Sequence, residues 1–71
     1  MSTYLNIARL AKAAGKKIRV TNRLGIGYVG VVDYFFEAAE NTAPECAICL
    51  SGEGWAGRFF NESDIQCIEL A

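Results

Sequence analysis

The sequence predicts a mainly β domain, a small five-stranded barrel preceded by an N-terminal α-helix. Three observations predict it. The apolar residues change period from about 3.6 to 2 after Lys16. Turn residues then cut the remaining chain into segments of strand length. Finally, a chain of 71 residues buries only about 60% of its unfolded surface, too little for two cores. Residues 1–71 are therefore read as a single domain, with the helix in 1–15 and the barrel in 16–71.

Ser2 or Thr3 can cap a helix running to about Ala14, and Gly15 is placed to end it. At about 100° per residue, Tyr4, Ile7, Leu10, Ala11 and Ala14 fall on one side, with Arg9, Lys12 and Lys16 as a stripe opposite. A short Ala-rich helix is marginal alone, so it must dock on the strands.

From Lys17 the pattern alternates. Ile18 and Val20 take one face of a first strand, and Lys17, Arg19 and Thr21 the other. Asn22, Gly25 and Gly27 supply a turn, after which Tyr28 to Glu37 reads as a long strand rich in Val, Tyr and Phe, with Gly30 as the place to bend. Period two puts Tyr28, Tyr34 and Phe36 on one face of it, and Val29, Val31, Asp33 and Phe35 on the other. Ala38 to Glu45 is a polar connection carrying the only proline, Pro44. Cys46 to Ser51 is the third strand, Gly52-Glu53-Gly54 a tight hairpin turn, and Trp55 to Phe60 the fourth strand. Asn61 to Asp64 breaks the pattern before a short last strand around Ile65, Cys67 and Leu70.

An open flat sheet of this size would leave long edges exposed, and closure into a barrel removes most of that edge. The order helix, KIRVTNRLGIGYVGVVDYFF, CAICLSGEGWAGRFF, DIQCIEL resembles the SH3-like small barrels, and among them the Sm-like (Lsm) group. Gly30, the apolar residues after it and Asp33 are similar to the Gly-to-Asp stretch of the first Sm motif, at shorter spacing. In the region of the second motif, Gly57-Arg58 stands in reverse of the usual Arg-Gly order. The resemblance implies the barrel and an RNA-binding role, but it transfers no individual binding residue.

Several motifs are read structurally. Gly25 to Gly30 spells GxGxxG, yet β formers follow it where a dinucleotide site needs a helix, so the glycines are assigned to a turn and a strand bend. Cys46-Ala47-Ile48-Cys49 with Cys67 offers three thiols. Positions three apart on a regular strand face opposite ways, and no His can complete a zinc site, so all three are read as small buried hydrophobes. Trp55 is either a binding hot spot or a plug at the barrel's end. Asp33, Glu62 and Asp64 are not paired by spacing. With His 0 in the composition, imidazole chemistry is excluded. The chain is read as no enzyme, with no cofactor and no metal.

Charge supplies the functional reading. The net charge of -1 hides a polarity: Arg9, Lys12, Lys16, Lys17, Arg19 and Arg23 all precede the first acid, Asp33, and only Arg58 comes later. Those six residues are the candidate nucleic-acid surface; the competing reading is internal pairing with the acidic half. Apolar residues with Gly included and Tyr left out number 41 of 71, about 58% against the roughly 45–50% expected of soluble domains, which predicts a homo-oligomer. No apolar run approaches the roughly 20 residues of a membrane span, and no export signal opens the chain, so a cytoplasmic location without membrane contact is expected. The expected function is a noncatalytic binding module for RNA or DNA; the alternative is a protein-interaction or scaffold module without nucleic-acid affinity.

Overall fold

The structure, a computed structural model, describes residues 3–37 and 45–71, the side chains of Thr3, Tyr4 and Ala56 excepted. The expected cap, the Tyr4 side chain and the connection through Pro44 lie outside the described residues. Among the described residues the elements are α1 (Thr3–Ala14), β1 (Lys17–Asn22), β2 (Gly27–Phe36), β3 (Ala47–Gly52), β4 (Trp55–Asn61), a 3-10 turn (Glu62–Asp64) and β5 (Ile65–Leu70). The strands form one antiparallel sheet in the order β4-β3-β2-β1-β5. No helix among the described residues is long and apolar enough to cross a membrane.

The long β2 makes the sheet curl. Its first half, Gly27 to Val31, pairs with β1, whereas Val31 to Phe36 pairs with β3. Gly30 stands beside the change of partner, and a Cβ there would collide with the Ser51 carbonyl and lie 3.2 Å from Gly52 Cα. Only glycine lets the two backbones approach so closely. The curl brings both edge strands to one core: Phe60 of β4 joins Ile65 and Ile68 of β5, together with Leu5, Ile18, Val20, Val32, Ile48 and Leu50.

Helix α1 ends as expected. Gly15 takes φ +66°, its N–H donates to Lys12 O (3.3 Å), and the Lys16 N–H donates to Ala11 O (2.9 Å). These are the two hydrogen bonds of a Schellman cap. The buried face differs from the expected one. Leu5, Ala8 and Ala11 are buried, whereas Leu10 is 71% exposed and Ala14 is exposed. Two alanines in the contact let the helix backbone lie close against the sheet. That seating turns the helix so that Arg9 is drawn partly inward.

Three bulges interrupt the alternation. In β2, Val32 opposes Leu50 and Tyr34 opposes Cys49, leaving Asp33 as the extra residue. In β5, Thr21 opposes Cys67 and Asn22 opposes Ile65, so Gln66 is extra. In β4, Leu50 opposes Arg58 and Gly52 opposes Trp55, with Gly57 at φ +69° between them. A bulge puts residues three apart on one face. Val32 and Phe35 therefore both meet the core, as do Ile65 and Ile68.

This corrects two expectations. Tyr28 does not share a face with Tyr34 and Phe36, because the Asp33 bulge reverses the parity between them. The last strand buries Ile65 and Ile68, with Cys67 exposed and Leu70 60% exposed.

Candidate functional site

The six early cations do not form one free surface. Arg9 Nη2 pairs with Glu37 Oε2 at 2.8 Å, and its Cζ lies 4.6 Å from the Phe35 ring centroid. Arg19 Nη1 stands 3.7 Å from Glu69 Oε1 on the neighbouring strand. Arg23 lies at the other end of β1, its Nε donating to the Ser63 carbonyl at 2.6 Å. Lys12, Lys16 and Lys17 are exposed where α1 turns into β1, and no carboxylate of the described residues makes an ion pair with them. Internal pairing thus accounts for Arg9 and Arg19, and the lysines remain.

A second constellation was not read from the sequence. The bulge in β4 sets Trp55 and Arg58 on the same face, and both reach Tyr28 of β2. Tyr28 meets Trp55 edge-on at 6.0 Å and Phe60 at 5.3 Å, and the Arg58 guanidinium lies over the Tyr28 ring at 4.7 Å. Beside them is a hollow of about 250 Å³ whose walls include Arg23, Leu24, Tyr28, Arg58 and Asp64. The β1–β2 turn that forms its rim is held by Asn22, whose Oδ1 accepts from Leu24 N (2.9 Å) and Ile26 N (3.0 Å). Its other rim, the 3-10 turn, is tied to the β1–β2 turn by Arg23 N donating to Asp64 O at 3.2 Å.

That turn is also held from the far side. Glu45 Oε1 accepts from Ser63 N at 2.8 Å. This backbone hydrogen bond, with a second from the Ser63 side chain, holds the Glu45 carboxyl below its ordinary value of 4.5.

The outer face carries an aromatic patch. Tyr34 stacks on Phe36 at 5.9 Å, and Phe36 leans on Phe59 at 5.8 Å. Tyr34, Cys49 and Phe59 form a row across β2, β3 and β4; Tyr34 is 63% and Phe59 48% exposed. A larger groove of about 650 Å³ lies between Lys17, Val29, Glu53 and Trp55, floored by Gly30 and Gly52.

Other expectations are resolved residue by residue. The cysteines are free thiols, but not the buried hydrophobes expected: Cys46 and Cys49 are half-buried and Cys67 is exposed. Cys46 precedes β3, Cys49 faces outward and the Gln66 bulge turns Cys67 away from the core. Among the described residues no group of His, Cys, Asp or Glu is placed to hold a metal. Asp33 accepts a hydrogen bond from the Ser51 hydroxyl, and Asp64 lines the 250 Å³ hollow, whose walls do not include Asp33.

Arg58 is the lone late cation of the sequence, and only the folded sheet carries β4 to the β1–β2 turn. No family model, no curated protein and no solved structure matches this chain.

Proposed function

We propose that the chain is an SH3-like barrel of the Sm-like kind, working as a noncatalytic, homo-oligomeric binding module with single-stranded nucleic acid as its ligand. The observation that carries this reading is the exposed cluster of Lys12, Lys16 and Lys17, unpaired among the described residues. Phosphate contacts by such lysines release counterions and need no base recognition. The eight carboxylates and net charge of -1 make each copy a weak binder, which oligomeric repetition offsets.

The sheet edges support assembly. Strands β4 and β5 are the two edges of the sheet, and each presents an exposed large apolar side chain, Phe59 and Leu70. Apolar side chains on two unpaired edges favour pairing of β4 with β5 of a second copy. A second reading, a protein-interaction module, is favoured by the outer patch of Tyr34, Phe36 and Phe59.

Fluorescence anisotropy with a labelled single-stranded RNA oligonucleotide separates them. The nucleic-acid reading expects affinity that falls steeply with salt and is lost when Lys12, Lys16 and Lys17 are replaced by Glu. An unmodified protein that does not bind at low salt refutes it and leaves the protein-interaction reading. Light scattering tests assembly, and a monomeric mass at high micromolar concentration refutes the oligomer.

A further inference from the structure

We propose that Arg58, backed by Tyr28, is a stacking seat for one base of a single-stranded nucleic acid, with Arg23 taking the adjacent phosphate. This rests on the nucleic-acid reading but on none of the lysines that carry it.

Three features point to the seat. The Arg58 guanidinium lies over the Tyr28 ring at 4.7 Å, while Arg58 is exposed and lines the 250 Å³ hollow, so its plane is reachable from the side away from the ring. Among the described residues it has no ion pair and no hydrogen bond, and its charge is spent on the ring alone. A delocalised guanidinium already stacked on one aromatic ring presents a flat, weakly hydrated face to a second. Tyr28 is itself wedged between Trp55 and Phe60, so the stack is prearranged and ordering it costs little at binding.

Arg23 gives the phosphate. Its Nε donates to the Ser63 carbonyl at 2.6 Å, a bond that does not use the terminal nitrogens, and Arg23 lines the same hollow. Leu24, 83% exposed, stands beside it as an apolar wall.

Asp64 decides the class of ligand. A carboxylate in the lining disfavours a bare anion, which would meet it together with the arginines. It suits a ligand carrying a hydrogen-bond donor beside an aromatic plane and a negative group. A nucleotide combines all three: an exocyclic amino group or ribose hydroxyl for Asp64, a base for Arg58 and a phosphate for Arg23.

The test compares Arg58→Lys, Arg58→Gln and Arg23→Gln with a Lys12→Glu/Lys16→Glu/Lys17→Glu variant, using the labelled RNA and inorganic phosphate as probes. Arg58→Lys keeps the charge and removes the plane. The seat predicts about tenfold weaker RNA binding for it with an unchanged salt slope, whereas Arg23→Gln reduces the slope by about 0.7, one single-strand phosphate contact. RNA should also quench the lone Trp55, which touches Tyr28 edge-on, and inorganic phosphate should not.

RNA binding that the lysine variant abolishes and both Arg58 variants leave intact overturns the seat while the proposed function stands. Binding by phosphate as tight as by RNA overturns it as well, reducing it to an anion site. No RNA binding by the unmodified protein at low salt removes both. Should an Arg58 variant fail to fold, the Arg58 Nε–Hε resonance of the unmodified protein decides: a shift on adding RNA supports the seat, and no shift overturns it.

Discussion

The Ser51 hydroxyl donates a hydrogen bond to the Asp33 carboxylate and accepts one from Gly57 N–H at 3.3 Å. Asp33 is the extra residue of the β2 bulge and Gly57 belongs to the β4 bulge, so one side chain of β3 joins the two irregularities on either side of it. Bulges leave ladder groups unpaired and re-aim the side chains around them. Ser51 satisfies part of that demand at the point where β2 and β4 both depart from regular pairing.

Ser51→Ala should therefore cost about 1–2 kcal/mol, the value of one to two hydrogen bonds of which one is to a charged group. Urea denaturation measures it. Because the bulges fix Phe35 and Arg58, the variant should also alter the Tyr28–Arg58 contact, visible as a change in Trp55 emission. A stability equal to that of the unmodified protein would mean that strand register alone holds the bulges.

Gly30→Ala should destabilise by about 3 kcal/mol or more, since its methyl group would enter the Ser51 backbone carbonyl, which has no flexible end to yield. Gly27→Ala is the control in the same strand. There a Cβ meets only the Arg19 side chain, at 3.7 Å, and the change should stay within about 0.5 kcal/mol. Equal melting temperatures for the two variants would contradict the close approach of β2 to the β3 end.

Acid should loosen the 3-10 turn through Glu45. The folded protein holds this carboxyl below 4.5, chiefly by the Ser63 N–H. A carboxyl depressed on folding contributes stability that is fully present above its unfolded value and is lost as pH falls through the folded one. Between about pH 5 and pH 3 the unmodified chain should lose more stability than Glu45→Gln, and the two curves should run parallel above about pH 6. Because Glu45 is at the surface, added salt should narrow the difference. Parallel curves over the whole range would sink the assignment.

The sequence alone determined the element order, the alternation of β1 and the stop of α1. Ile18 and Val20 are fully buried with Lys17 and Arg19 outside, because a regular strand has a period of two that needs no partner to be read. Gly15 ends the helix through its own left-handed backbone, again a local property.

Only the tertiary structure decided which face α1 buries and which side chains of β2, β4 and β5 point inward. The helix is apolar over a wide arc, and only docking on the sheet buries Leu5, Ala8 and Ala11 and leaves Leu10 and Ala14 exposed. The bulges at Asp33, Gly57 and Gln66 are products of pairing, since an extra residue exists only relative to the strand opposite. With them went the expected grouping of Tyr28 with Tyr34 and Phe36. The meeting of Arg58 with Tyr28 and Arg23 followed for the same reason: it joins β4 to β2 and to the β1–β2 turn, and no local spacing encodes that distance.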